Sequence, residues 1–287
     1  MAIFQNQATI TFGGVTRASN ITVGEIVDAV GIVKTATPDT YAQGGRITYV
    51  VNIQNTGGTP LTGLTVTDDL GSYETDGDTT EKITAIPLTY VDGSARLFTD
   101  GVEGPAPQVT AGTALTFEGI DVPANGVTTL VYLADVNEYA PLGEGGQIEN
   151  TAAVTGTGVT GEVSDTAVVT AEQAADLSIV KSVNPTVVTE NSLVTYTFEV
   201  QNTGAATTEE DGVVIHDTFS PVLTDLTVTL NGVTLTPDQY VYDETTGEFA
   251  TADGVLSIPG ASYTQDPATG VWTVDPGTAT LTVSGII

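Results

Sequence analysis

Three lysines occur in the whole chain, Lys34, Lys82 and Lys181, and two of them stand at matching places in similar segments, GIVKTA and SIVKSV. Side-chain alternation along a strand sets Lys34 on the face of Ile32 and Lys181 on the face of Ile179. An ammonium turned toward a core must find a partner or lose its proton, because burial disfavours the charged form. A neutral amine is a nucleophile. Acids match in the same way: VTDDL at 66 to 70 corresponds to IHDTF at 215 to 219, which sets Asp68 opposite Asp217. Asn150 and Asn6 are the matching amides. If the three types meet, the amine attacks the Asn carbonyl, an acid whose pKa is raised by burial carries protons, and ammonia leaves to give an isopeptide bond. Lys34 with Asn150 would tie the first strand of a domain to its last. Lys181 would take Asn6 of another copy, with Asp217 as its acid. Asp69 and Glu149 are alternative acids, but their counterparts are Thr218 and Gln5, which favours the shared Asp. The plainer alternative is that both lysines snorkel at strand edges and make ordinary ion pairs with Asp68 and Asp217.

Strands must carry these groups. Short alternating runs such as RITYVVNIQ, LTGLTVTD, TTLVYLAD and TYTFEVQ, rich in Thr and Val and broken by Gly, Pro, Asn and Asp, predict an all-β chain. Residues 32 to 57 return at 179 to 204, an offset of 147 residues, so that Pro38 matches Pro185, Tyr49 matches Tyr196 and Asn55 matches Asn202. The reading is two tandem Ig-like, Greek-key β-sandwiches, 25–172 and 173–287, preceded by a donor β-hairpin at 1–24.

The two copies end differently. The first finishes with IENTAAVTGTGVTGEVSDTAVVT at 148 to 170, two alternating strands around a Gly-rich turn. In the second, VDPGTATLTVSG at 274 to 285 resembles VPANGVTTLVYLA at 122 to 134, and a counterpart of Asn150 would fall beyond Ile287. FQNQATITFGGVTRASNITV at 4 to 23 resembles the closing hairpin, with Asn6 at Asn150, Ala8 at Ala152, Ile10 at Val154, Val15 at Val159 and Ser19-Asn20 at Ser164-Asp165. A sandwich without its closing strands exposes backbone groups and an open core, and a lone hairpin is marginal in water, so each defect can cure the other. Donation to the next copy, head to tail, does not close on itself and gives an open filament. The alternatives are an edge ribbon on its own domain, closure of the second copy by strands from 249 to 273, and an unstructured N-terminal arm.

The K-x-x-x-P starts, TYTFEVQNTG and the V-x-D segments resemble the bacterial conserved-repeat domain of unknown function eleven, found in tandem in cell-surface proteins and similar to isopeptide-bonded adhesin and pilin sandwiches. The resemblance implies that Lys34 and Lys181 are the first-strand lysines, Asn150 and Asn6 the last-strand asparagines, and Asp68 and Asp217 the central acids. The usual cleavable signal, sorting motif and anchor are not evident, which predicts an extracellular filament on a cell or spore surface.

Composition excludes much else. In 287 residues, 36 acidic against 6 basic side chains give a net charge of −30, which repels nucleic acid and anionic membrane. There is no Cys and one His, so thiolate chemistry, Cys-ligated metal and a His triad are not expected, and no enzyme acting on an external substrate, no cofactor and no metal are predicted. The acidic run from Asp68 to Glu81 lacks a regular calcium loop and reads as solvated. His216 should face away from Asp217, and Trp272 should pack rather than bind sugar. No apolar run has transmembrane length. The expected partner is the chain itself, as a homopolymer; the alternative is a monomeric surface adhesin that binds a ligand through its loops.

Overall fold

The computed structural model describes residues 2–26, 29–76 and 82–287. It divides into two units, 1–140 with 147–170, and 141–146 with 171–287. Among the described residues the helical content is one 3-10 turn, Glu209–Asp211. The all-β reading, two sandwiches and an N-terminal hairpin, is what the chain adopts.

The hairpin consists of β1 (Ala2–Asn6), β2 (Thr9–Phe12), β3 (Val15–Ala18) and β4 (Thr22–Ile26). β2 pairs with β3 and β1 with β4, and among the described residues these strands pair only with each other. Gly13 and Gly14 make the two-residue turn with φ of 60° and 82°, the left-handed pair that matches the twist of flanking strands. The ribbon is alternating in sequence, with Phe4, Asn6, Ala8, Ile10 and Phe12 on one face and Gln5, Gln7, Thr9 and Thr11 on the other. Such a pattern is built to bury one face, yet Phe4, Ile10 and Phe12 are 56, 70 and 87% exposed.

Unit 1 runs through β5 (Val30–Thr37), β6 (Thr40–Tyr41), β7 (Arg46–Asn55), β8 (Leu61–Asp68), β9 (Tyr73–Asp76), β10 (Lys82–Ala85), β11 (Leu88–Tyr90), β12 (Arg96–Thr99), β13 (Val102–Glu103), β14 (Gln108–Ala111), β15 (Leu115–Val122), β16 (Val127–Val136), β17 (Gln147–Thr155) and β18 (Val163–Ala171). One sheet has the order β13-β12-β16-β7-β5, and β11 also pairs with β16; the other has the order β14-β15-β8-β17-β18-β6. Strict alternation in β7 and β16 buries Ile47, Tyr49, Val51, Leu130, Tyr132 and Ala134 against Leu64, Val66, Leu115 and Phe117 of the facing sheet.

Unit 2 continues with β19 (Leu177–Asn184), β20 (Leu193–Asn202), β21 (His216–Thr218), β22 (Thr224–Leu230), β23 (Val233–Thr234), β24 (Tyr240–Tyr242), β25 (Glu248–Thr251), β26 (Ser262–Gln265), β27 (Trp272–Asp275) and β28 (Gly277–Ile286). Its larger sheet has the order β19-β20-β28-β22-β23 and its smaller one β21-β25-β24. Phe198, Phe219, Leu223, Phe249, Leu281 and Val283 make its core.

The units differ where the repeat ends differ. In unit 1, β8 lies between β15 and β17. In unit 2, β21 takes its place and pairs only with β25 among the described residues, so its other edge is open. The 249–273 stretch does not fill that edge: β25 lies on the far side of β21, and β26 folds against β27. With the cleft uncovered, β19 is exposed along most of its length, including Ile179 and Val180.

Candidate functional site

In unit 1 Lys34 and Asp68 are in contact, and Asn150 joins them through Tyr132. β5 is an edge strand that turns Val30 and Lys34 inward, and Lys34 is only 3% exposed. Its Nζ donates to Asp68 Oδ2 at 2.6 Å, with both side chains out of contact with water, and lies 4.9 Å from the centre of the Tyr49 ring. Asp68 ends β8, and its Oδ1 accepts the Leu70 amide at 3.0 Å. Asp68 Oδ2 also accepts the Tyr132 hydroxyl, and that hydroxyl in turn accepts Asn150 Nδ2 at 3.3 Å. Asn150 lies on β17, the first strand of the closing hairpin rather than the last strand expected, and is fully buried. Three side chains from three strands and both sheets thus converge, with Tyr132 bridging acid and amide.

Asn150 Oδ1 is buried without a hydrogen-bond partner among the described residues, and the Tyr49 hydroxyl, which no well-formed hydrogen bond reaches, interacts with the Asn150 side chain. Buried carbonyl oxygens are seldom orphaned. Here the orphan is the oxygen on which negative charge would develop during attack on the amide. Burial is the largest influence on Lys34 and lowers its pKa, against the opposing pull of Asp68. Burial likewise raises the phenols of Tyr49 and Tyr132. The site therefore holds an amine whose pKa burial lowers, an acid in contact with it, and a desolvated amide.

The alternative acids are occupied elsewhere. Asp69 Oδ1 accepts the amides of Gly71 and Thr151, both at 2.9 Å, and Glu149 is an exposed residue that accepts Gln147 Nε2. Asp165 of β18 fastens the site from outside, its Oδ2 accepting the Lys34 backbone N–H at 2.7 Å. Repeat comparison missed two contributors. Tyr132 pairs across the sheet with Tyr49, whereas Tyr196 pairs with Val283, so the second copy has no phenol to flag the first. The available signal was a Tyr on the apolar face of TTLVYLAD, since a buried hydroxyl needs a partner. Asp165 is invisible because its role lies in the cross-sheet approach of β18 to β5.

In unit 2 the same acid and amine pair, Lys181 with Asp217, but in the open: their side chains are 41% and 16% exposed. Lys181 Nζ is ringed by Tyr196, Phe198 and Phe219, at 4.8, 5.4 and 5.4 Å from the ring centres. Asp217 sits on β21, directly at the unpaired edge. Asn6 is an exposed residue of β1, opposite Thr22, and takes no part in either cluster. The amine and the acid of the second site are in place and the amide is not among them.

Other sequence readings resolve simply. Asn55 and Asn202 are buried loop clamps: each Nδ2 donates to two backbone carbonyls, and each Oδ1 accepts the amide of the glycine two residues on. His216 is exposed and points away from half-buried Asp217, and Trp272 is half-buried in β27. Part of the acidic run, 77–81, lies outside the described residues; among those described, no cluster of His, Asp or Glu could hold a metal. No described helix is long and apolar enough to cross a membrane.

No family model matches the sequence, and no curated protein matches it. Solved structures similar to it include a variant of the major pilin subunit of Bacillus cereus (15% identity, 96% of this chain and 73% of that one, TM-score 0.37) and the major pilin SpaD of Corynebacterium diphtheriae (14%, 86% and 59%, 0.36). The pilus backbone of Streptococcus pneumoniae is a third (11%, 86% and 55%, 0.31). These likenesses are weak, and the chain's own geometry is the stronger guide to its function.

Proposed function

We propose that the chain is a structural subunit that polymerises head to tail by strand donation. The ribbon β1–β4 of one copy occupies the open edge of β21 in the next, in the place β17 and β18 take in unit 1. One observation carries this reading: β21 bears Asp217 on an unpaired edge, while β1 and β2 carry the same inward pattern as β17 and have nothing to cover. Laid in the register that β17 takes on β8, Ala8 falls opposite Asp217 and Asn6 falls where Asn150 lies. A heterologous contact of this kind propagates, so the product is a filament. The resemblance to a cell-surface repeat domain supports an extracellular, cell-surface or spore-surface location.

Each site is then a place for a covalent bond. The Lys amine adds to the Asn Cγ, an amine proton passes by way of the Asp carboxyl to the leaving nitrogen, and the Cγ–Nδ2 bond breaks. One C–N bond forms, one breaks, and one ammonia is released, with no oxidant or cofactor. Lys34, Asp68 and Asn150 would seal unit 1 within a chain; Lys181 and Asp217 with Asn6 of the neighbouring copy would seal each junction. The chain is no enzyme in the sense of turnover, since each site reacts once.

The test is denaturing electrophoresis of the full chain beside Asn6→Ala and Lys181→Ala. A boiling-resistant ladder that both substitutions abolish, with fibres still visible for Asn6→Ala before denaturation, is the expected result. A wild-type chain that is monomeric in native solution would contradict strand donation and favour the adhesin reading.

A further inference from the structure

The proposed donation leaves a question of choice, because one ribbon faces two similar sandwiches. The turn of the closing hairpin shows where they differ. In unit 1, Gly156 (φ 144°) and Gly158 (φ 92°) cross over Leu64 and Leu61 so closely that a Cβ added at either would come within 2.7 and 2.6 Å of a leucine methyl. Both positions have positive φ, which favours glycine, and a side chain at either would have to displace a leucine methyl. In the ribbon, the position matching Gly156 is Phe12, which is 87% exposed. In unit 2, the residue matching Leu64 is the smaller Val213, and the space beside it is an open pocket lined by Leu177, Ala206, Thr207, Thr208 and Asp211. Continued from Asn6 beyond the paired residues, the same register would set Ile10 opposite Ile215 and Phe12 opposite Val213, which lines this pocket.

Charge agrees with shape. Arg17 pairs with Ile10 across the ribbon and lies on the same face as Ile10, Phe12 and Val15. In the hairpin of unit 1 the equivalent partner of Val154 is Val163, so the ribbon carries a cation where the closing hairpin carries an apolar residue. The unit 2 pocket has Asp211 in its lining, and Asp176 precedes Leu177. Arg17 is one of six basic side chains against 36 acidic ones, and Asp211 is the one charged residue in the lining of the pocket.

The geometry points to a tip key: Phe12 of one copy seats in the Leu177–Val213 pocket of unit 2 of the next copy, with Arg17 against Asp211, and this contact directs the ribbon to unit 2 rather than unit 1. The inference rests on the strand-donation reading and adds the determinant of its selectivity. It separates the docking contact from the bond, since Phe12 and Asn6 lie at different points along the strand. The partner is a second copy of this chain.

The experiment measures the concentration for half-maximal assembly of full-length chains by sedimentation. Phe12 is exposed in the free chain, so Phe12→Ser should leave the melting curve of the monomer unchanged. It should raise the assembly midpoint about tenfold or more, as expected for the lost burial of a large apolar side chain. Arg17→Glu should also weaken assembly, and adding Asp211→Arg in the same chain should restore it. Assembly of Phe12→Ser at the wild-type midpoint, or no recovery of Arg17→Glu by Asp211→Arg, would overturn the tip key while strand donation stood. A wild-type chain that never assembles would overturn both.

Discussion

Lys34 and Asp68 make a poor stabilising device, and the proposed crosslink gives the pair a different use. A buried ion pair contributes little beyond apolar groups of the same volume, because desolvation offsets the attraction. Removing one partner is different: Lys34→Ala would leave buried Asp68 without its amine partner, at a cost of about 3–5 kcal/mol. The orphaned Asn150 Oδ1 adds a further cost to the unreacted state. The proposed crosslink would remove both costs. Asn150→Ala keeps the amine free and makes it readable. Burial holds Lys34 below its ordinary 10.5, so between its folded value and about 10.5 the unfolded chain binds more protons, and stability rises with pH. The Tyr49 and Tyr132 phenols are pushed up, so above about pH 10 the folded chain binds more protons and stability falls. Urea unfolding of Asn150→Ala should therefore show stability climbing as pH rises from the folded value of Lys34 to a crest near pH 10. A steady fall over that range would mean that Lys34 is charged in the folded chain.

At the level of strands, the proposed assembly turns on an open edge. β21 and β19 lack the cover that β17 and β18 give to β8 and β5, so unit 2 of a free chain should open more readily than unit 1. Amide hydrogen exchange should show fast exchange in β19 and β21 of monomers and protection of both on assembly. Equal protection of β21 before and after assembly would place the ribbon elsewhere. Much of this is legible in the sequence. The repeat sets Lys34 with Lys181 and Asp68 with Asp217, and alternation in FQNQATITF marks a strand with one apolar face. Cross-sheet distances are not legible there. Tyr132 enters the site because β16 faces β8 across the core, and its counterpart Val283 erases the repeat signal. Asn150 lies on β17 because it precedes the Gly-rich turn of the closing hairpin, and β17 rather than β18 is the strand that pairs with β8. The tip pocket is hidden for a similar reason, since it takes the difference between Leu64 and Val213 with both turns in view.

For the molecule as a whole, the net charge of −30 opposes every junction. Repulsion between whole subunits acts across solvent and is screened by salt, whereas burial of the ribbon's apolar face is not. Assembly should accelerate as ionic strength rises from about 0.01 to 0.15 M, over which the screening length falls from about 30 to 8 Å. Slower assembly with added salt would mean that local ion pairs, not burial, dominate the junction. A covalent bond at each junction would make the filament indifferent to that repulsion once formed.

The most direct measurement mixes isotope-labelled and unlabelled full-length chains, allows assembly, and identifies linked peptides by mass spectrometry after proteolysis. Covalent strand donation predicts a peptide pair joining Lys181 to Asn6, lighter than its parts by one ammonia and present in mixed-isotope form, beside a Lys34–Asn150 pair found only with both halves from the same isotope pool. Native, unlinked peptides at all four residues in assembled material would contradict the covalent chemistry, and a Lys181–Asn6 pair without mixed-isotope forms would contradict donation between copies.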